Sequence, residues 1–238
     1  MMAVQSHKGR IMKLAKPHID IGLYTNNREA MLEFWQQQVG LEFDHVGKLG
    51  GGVHQLRHHM NGSILKINHA RDTLPDAPQA GYRELWIARE GLSDRQSMTD
   101  PDGNLVVLVP MGEDGIIGIE IVQAVRDLQA FRDFYGRIME FTAMGDDRYV
   151  CGDSIIRLRQ DDRANAMVAQ QGPGYRYITM QIFDADRVYE TVVRRGGAEG
   201  RPPRTLGTTV RFGFVRDPDG NWIELSERFE LTGTGDAA

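Results

Sequence analysis

A chain of 238 residues with 28 basic and 33 acidic side chains has a net charge of -5 and no long run of either sign, which excludes an electrostatic footprint for nucleic acid and leaves a small molecule or another protein as the partner class. Its one cysteine, Cys151, excludes an intramolecular disulfide framework, and no apolar stretch approaches the roughly 20 residues of a membrane span, so the composition fits a cytoplasmic protein. The length suits two halves of ordinary domain size.

Residues 1–16 hold Lys8, Arg10, Lys13 and Lys16 and lack the apolar core of a secretory signal; they read as a disordered leader, with Met12 an alternative start. A strand is predicted over 19–25, followed by a helix in which Asn26 caps with Glu29 three residues on. Leu32, Trp35 and Val39 share one face of that helix, and Gly40 supplies its left-handed stop. Strands follow over 41–46, 53–57 and 63–69, with Gly-rich turns between them and His58-His59 in the turn before Asn61-Gly62. The second half opens with a strand over 116–125 and a helix whose face carries Leu128, Phe131, Tyr135 and Ile138. Strands over 149–151 and 154–159 come next, then a helix with Val188, Tyr189, Val192 and Val193 in a stripe, and a strand over 208–215.

The chain repeats itself. TDPDGNLVVLV at 99–109 returns as RDPDGNWIELS at 216–226, GYRELWI at 81–87 as GYRYITM at 174–180, and the helix from Arg28 as the helix from Leu128. The halves meet near 111–115. The step from GYR to DPDG is 19 residues in the first half and 43 in the second, so the N-terminal half is an abbreviated copy lacking a helix and a strand. The DPDG elements read as hairpin turns, with nothing marking Asp100, Asp102, Asp217 or Asp219 as ligands.

This order of strand, amphipathic helix with an aromatic pair, further strands and a closing DPDGN strand resembles the vicinal oxygen chelate superfamily, the glyoxalase, bleomycin-resistance and extradiol dioxygenase fold. The resemblance covers about residues 17–227 and is most specific in GYRYITMQIFDADRVYETVVRRGG and VRDPDGNWIELSE. It implies an α+β fold of duplicated βαβββ modules, forming two curled, cavity-enclosing mixed sheets with flanking helices. We expect one sheet per half, with domains over 17–111 and 115–228 and a disordered tail over 229–238. Family members place a divalent metal in such a cavity. Carrying the ligand positions over gives Glu120, Arg157, Tyr177 and Glu224 in the second half and Asp20, Lys66, Glu84 and Val107 in the first. All seven histidines lie within the first 69 residues, so the second half cannot supply two imidazoles and a carboxylate.

The expectation is therefore a small-molecule cavity with no metal and no other cofactor, acting as a lyase or isomerase-type or other acid–base enzyme. Glu120, Arg157, Tyr177 and Glu224 are its candidate catalytic residues, and Arg159, Trp222, Asp20, Lys66, Glu84 and Trp86 would contact the substrate. Arg157 and Arg159, two apart on a strand, would face a substrate carboxylate together. A sequestering binder without turnover is the alternative; a further one is a lyase or dioxygenase using Fe, Ni or Zn at His18, Asp20 and Glu84. In both halves an acidic first position matches a basic second one, which predicts ion pairs Asp20–Lys66 and Glu120–Arg157 where relatives hold the ion. By the same resemblance a homodimer is expected.

Overall fold

The computed structural model describes residues 12–233 as two mixed sheets flanked by helices. The first half supplies β1 (Leu14–Thr25), β2 (Glu42–Gly50), β3 (Val53–Met60), β4 (Ser63–Ala70), β5 (Tyr82–Arg89), β6 (Gln96–Thr99) and β7 (Leu105–Pro110). The second supplies β8 (Ile119–Val125), β9 (Thr142–Gly145), β10 (Arg148–Cys151), β11 (Ser154–Gln160), β12 (Gly174–Ile182), β13 (Ala198–Leu206), β14 (Val210–Arg216) and β15 (Trp222–Arg228).

The sheets do not follow the halves. The larger has the order β13-β14-β15-β12-β1-β4-β3-β2 and the smaller β6-β7-β5-β8-β11-β10-β9. The first module (β1–β4) is thus joined to the last (β12–β15), and the two middle modules to each other, which corrects the expectation of one sheet per half. The cause is strand pairing at the two seams. β1 runs antiparallel to β12, with Asp20 opposite Thr179 and Gly22 opposite Tyr177, and β5 runs antiparallel to β8, with Trp86 opposite Glu120. β8 and β12 are buried along their whole length, as central strands covered on both faces must be.

Helix α1 (Arg28–Glu33) passes into a π-helical turn over Phe34–Gln38, and α2 (Leu128–Asp133) does the same over Phe134–Ile138. The repeat extends to single hydrogen bonds: Leu41 N donates to Trp35 O and Phe141 N to Tyr135 O. Phe34, Trp35, Phe134, Tyr135 and Ile138 are the buried residues that these turns press into the core. Helix α3 (Ala185–Arg194) occurs only in the last module.

Several local expectations are corrected. The N-cap position of the first helix falls on Asn27, whose side chain makes no capping hydrogen bond, while the Asn26 amide donates to Ala70 O and Asp72 O and its carbonyl accepts from Leu74 N, tying the helix start to the segment after β4. His58 and His59 lie within β3, not in a turn. β1 begins at Leu14, inside the segment expected as leader, and residues 1–11 fall outside the described residues. One helical turn, α4 (Phe229–Thr232), occupies the start of the expected tail, and residues 234–238 also fall outside. The DPDG aspartates hold their own turns: the Asp217 carboxylate accepts from the Asp219 and Asn221 backbone and from the Asn221 amide.

Candidate functional site

Alternation along β12 turns Tyr177, Thr179 and Gln181 to one face of the larger sheet, and all three are buried. Parallel pairing with β15 sets Glu224 beside Thr179, and Thr179 lies opposite Asp20 on β1, so one row crosses the boundary between the halves. β4 runs on the other side of β1, with Lys66 opposite Gly22. Asp20, Lys66, Tyr177 and Glu224 are therefore brought together from positions that the sequence had divided between two sites.

Lys66 is the centre of this group. Its Nζ donates to Glu224 Oε2 at 2.8 Å and to Thr179 Oγ1 at 2.7 Å, and the Thr179 hydroxyl donates to the same Glu224 oxygen at 2.6 Å. Asp20 is fully buried and is held by Ile64 N at 2.9 Å, Lys16 Nζ at 3.1 Å and Gln181 Nε2 at 3.1 Å. The expected Asp20–Lys66 pair is thus replaced by Lys66–Glu224, because antiparallel pairing of β1 with β12 delivers a carboxylate from the other half. Lys66 still acts on Asp20 at longer range: burial raises that carboxyl, and Lys66, Lys16 and the Gln181 hydrogen bond together outweigh it to leave the group below its ordinary value.

Tyr177 lies across the backbone of Gly22, where a Cβ would fall 2.2 Å from its ring. Its hydroxyl accepts from Asn68 and Gln55, and burial pushes its ionisation well above the ordinary range. It is a wall and a hydrogen-bonding group, not a proton acceptor at neutral pH. Tyr24, Phe214 and Trp222 pack with it into an aromatic cluster, and the Trp222 indole donates to Val168 O at 2.8 Å. Over this floor opens a cavity of about 400 Å³, lined by Tyr24, Tyr177, Phe212 and Phe214 together with Lys66 and Glu224. That is within the usual range for a small-molecule site. Six cations line it (Lys48, Arg57, Lys66, Arg201, Arg204, Arg228) against the carboxylate of Glu224.

The smaller sheet gathers the other candidates and closes them on one another. Glu120 is fully buried between Arg148 and Arg157, the latter with Nη2 2.5 Å from Oε1, so the Glu120–Arg157 contact forms as expected with a second arginine added. Arg159 binds Glu84, whose carboxylate also accepts from Trp86 Nε1 at 2.9 Å, and Trp86 is flanked by Arg157 and Arg95. Arg157 and Arg159 therefore serve separate internal carboxylates rather than jointly facing a substrate.

Neither group fits a divalent metal. In the larger sheet a lysine ammonium sits against Glu224, where a metal would need a lone pair, and both oxygens of Asp20 already accept hydrogen bonds. In the smaller sheet each carboxylate is held by arginine. His18 pairs with Asp153 at 2.7 Å, and Glu84 belongs to the other sheet from Asp20, so a His18, Asp20, Glu84 site does not form. Among the described residues no group of three or more His, Cys, Asp or Glu could hold an ion.

Thr179, Gln181, Gln55 and Asn68 escaped the sequence reading. Period-two alternation from Tyr177 would have found the first two; the others depend on β3 and β4 lying in one sheet with β12, joined to it through β1.

Residues 119–225 match the model of the Glyoxalase/Bleomycin resistance protein/Dioxygenase superfamily. The match lies wholly within the C-terminal half, which is similar to a module of this superfamily. Glyoxalase I from Zea mays superposes with a TM-score of 0.70 at 12% identity, covering 92% of this chain and 95% of that one. A putative dioxygenase from Bacillus subtilis superposes with a TM-score of 0.65 at 15% identity, covering 94% of this chain and 91% of that one. At such identities the likeness shows the fold, and it extends the glyoxalase architecture to both halves. No curated protein sequence matches the chain. Among the described residues no helix is long and apolar enough to cross a membrane.

Proposed function

We propose that this glyoxalase-superfamily protein is an acid–base enzyme of lyase or isomerase type, acting on a small organic substrate in the cavity of the larger sheet. The observation that carries this is the hydrogen-bonded Lys66–Thr179–Glu224 chain, whose two charged ends, Lys66 and Glu224, line the cavity. Glu224 is the proton acceptor, and the ammonium of Lys66 stabilises negative charge developing on a neighbouring substrate oxygen, a task that a metal performs elsewhere. Thr179 fixes the carboxylate between them, and Tyr177, Tyr24 and Phe214 exclude water from one side. The arginine-filled smaller sheet serves stability. The aromatic wall also suits a second reading, sequestration of a ligand without turnover.

Ketoaldehyde–thiol adducts, catechols and 2-oxo acids incubated with the protein in D2O, with chelator or with added divalent metal, separate these readings by proton NMR. The proposal expects product or C–H to C–D exchange in the presence of chelator, lost in Glu224→Gln. Binding with neither product nor exchange supports sequestration, and turnover only with added metal contradicts the lysine-centred site.

A further inference from the structure

The edge strand β13 carries the run Arg201-Pro202-Pro203-Arg204. In a regular strand residues three apart point to opposite faces. Here Arg201 stands opposite Phe214 and Arg204 opposite Phe212, so three steps on β13 span two on β14. This is a bulge of one residue, and it returns both arginines to the same face. The two prolines have no N–H to lose from the ladder, which suits them to a bulge on an edge strand. Gly213 makes room for it: a Cβ there would lie 2.9 Å from Pro203 N and 3.0 Å from Arg201 O.

Both guanidinium groups line the cavity, Arg201 over Trp222 at 5.3 Å and Arg204 over Phe212 at 5.3 Å. Neither has a carboxylate partner among the described residues, nor has Lys48, whereas Arg57 has Asp44, Arg228 has Glu230 and Lys66 has Glu224. Stacking on the rings orients the planar forks and leaves their N–H groups for a ligand. Arg201, Phe214 and Glu224 form one row across β13, β14 and β15, so Arg201 and the proton acceptor stand an aromatic ring apart, with Arg204 in the next row opposite Phe212.

We propose that this bulge is an oxyanion clamp, and that the substrate is an elongated organic anion whose carboxylate or phosphate docks on Arg201 and Arg204 while its apolar body reaches along the aromatic wall toward Glu224. The inference rests on this cavity being the ligand site and does not require turnover.

Fluorine NMR titration of the full chain with 4-fluorophenylacetate, 4-fluorophenyl phosphate and the uncharged 4-fluorophenylacetamide tests it. At least one anion should bind tenfold or more tightly than the amide, and the stronger of the two identifies the headgroup. Arg201→Gln with Arg204→Gln should bring both anions to the level of the amide without changing amide binding. Gly213→Ala should weaken the anions with both arginines retained, and Arg211→Gln, whose side chain pairs with Asp186, should leave them unchanged. Equal binding of amide and anions by the native chain, or an anion preference that survives the double substitution, overturns the clamp and leaves the cavity reading standing. Failure of all three probes to bind overturns both.

Discussion

Lys66 is 4% exposed, and its ammonium is shared between Thr179 and Glu224, both from the opposite half of the chain. Removing one partner of a buried ion pair leaves the other uncompensated, which typically costs about 3–5 kcal/mol. Since the Glu224 side chain keeps 15% exposure, Lys66→Met is expected near the lower end, at about 3 kcal/mol in urea unfolding. Adding Glu224→Leu should recover part of that loss. Asp217 supplies a second test. Burial pushes its carboxyl up from 3.8 to about 7 against the pull of Asn221 and Gln123. A folded value above the unfolded one contributes stability that is complete below the unfolded value and is lost as pH rises through the folded one. Between about pH 4 and pH 7 the native chain should therefore lose stability more steeply than Asp217→Asn; parallel profiles would refute this. Both acidic–basic alternations were visible in the sequence. The Glu120–Arg157 pairing could be read from them, but the partner of Lys66 could not, because Glu224 lies 158 residues away and only the seam joins the two.

At the scale of elements, the β1–β12 seam depends on a glycine. Gly22 lets the Tyr177 ring cross its backbone, and a methyl group there would need the ring to leave its hydrogen bonds to Asn68 and Gln55. Gly22→Ala should cost about 1–3 kcal/mol, the usual range for overpacking, and should weaken binding in the larger cavity more than Gly40→Ala, at an open helix end. Unchanged binding would remove Tyr177 from the wall. Strands, helices and the DPDG turns were legible because hydrophobic period and turn chemistry are local properties. The helix cap shifted from Asn26 to Asn27 because Asn26 is used by the chain after β4, a tertiary demand that local capping preferences do not encode. The bulge in β13 announces itself only as a Pro-Pro pair until its register against β14 is known.

On the scale of the whole molecule, the duplication told how many modules to expect but not which of them pair. Each half contains one module of each sheet, and strand-level sequence similarity is equally compatible with pairing inside a half or across halves. Crossed pairing accounts for both regroupings of the candidate residues: Asp20 and Lys66 joined Glu224 and Tyr177, while Glu84 joined Glu120 and Arg157. It also predicts that chains of residues 12–111 and 115–233, prepared separately, each lack a cooperative unfolding transition, and that mixing restores one. Independent cooperative melting of either half would contradict this. The central claim is that one cavity, between the first and last modules, takes the ligand while the other is filled by its own side chains. Crystals grown with the tighter-binding fluorophenyl anion test this most directly. The account predicts one molecule per chain, with its oxyanion on Arg201 and Arg204 and its ring against Tyr177 and Phe214; density between Glu84 and Glu120 instead, or a metal held by Asp20 and Glu224 with Lys66 displaced, would contradict it.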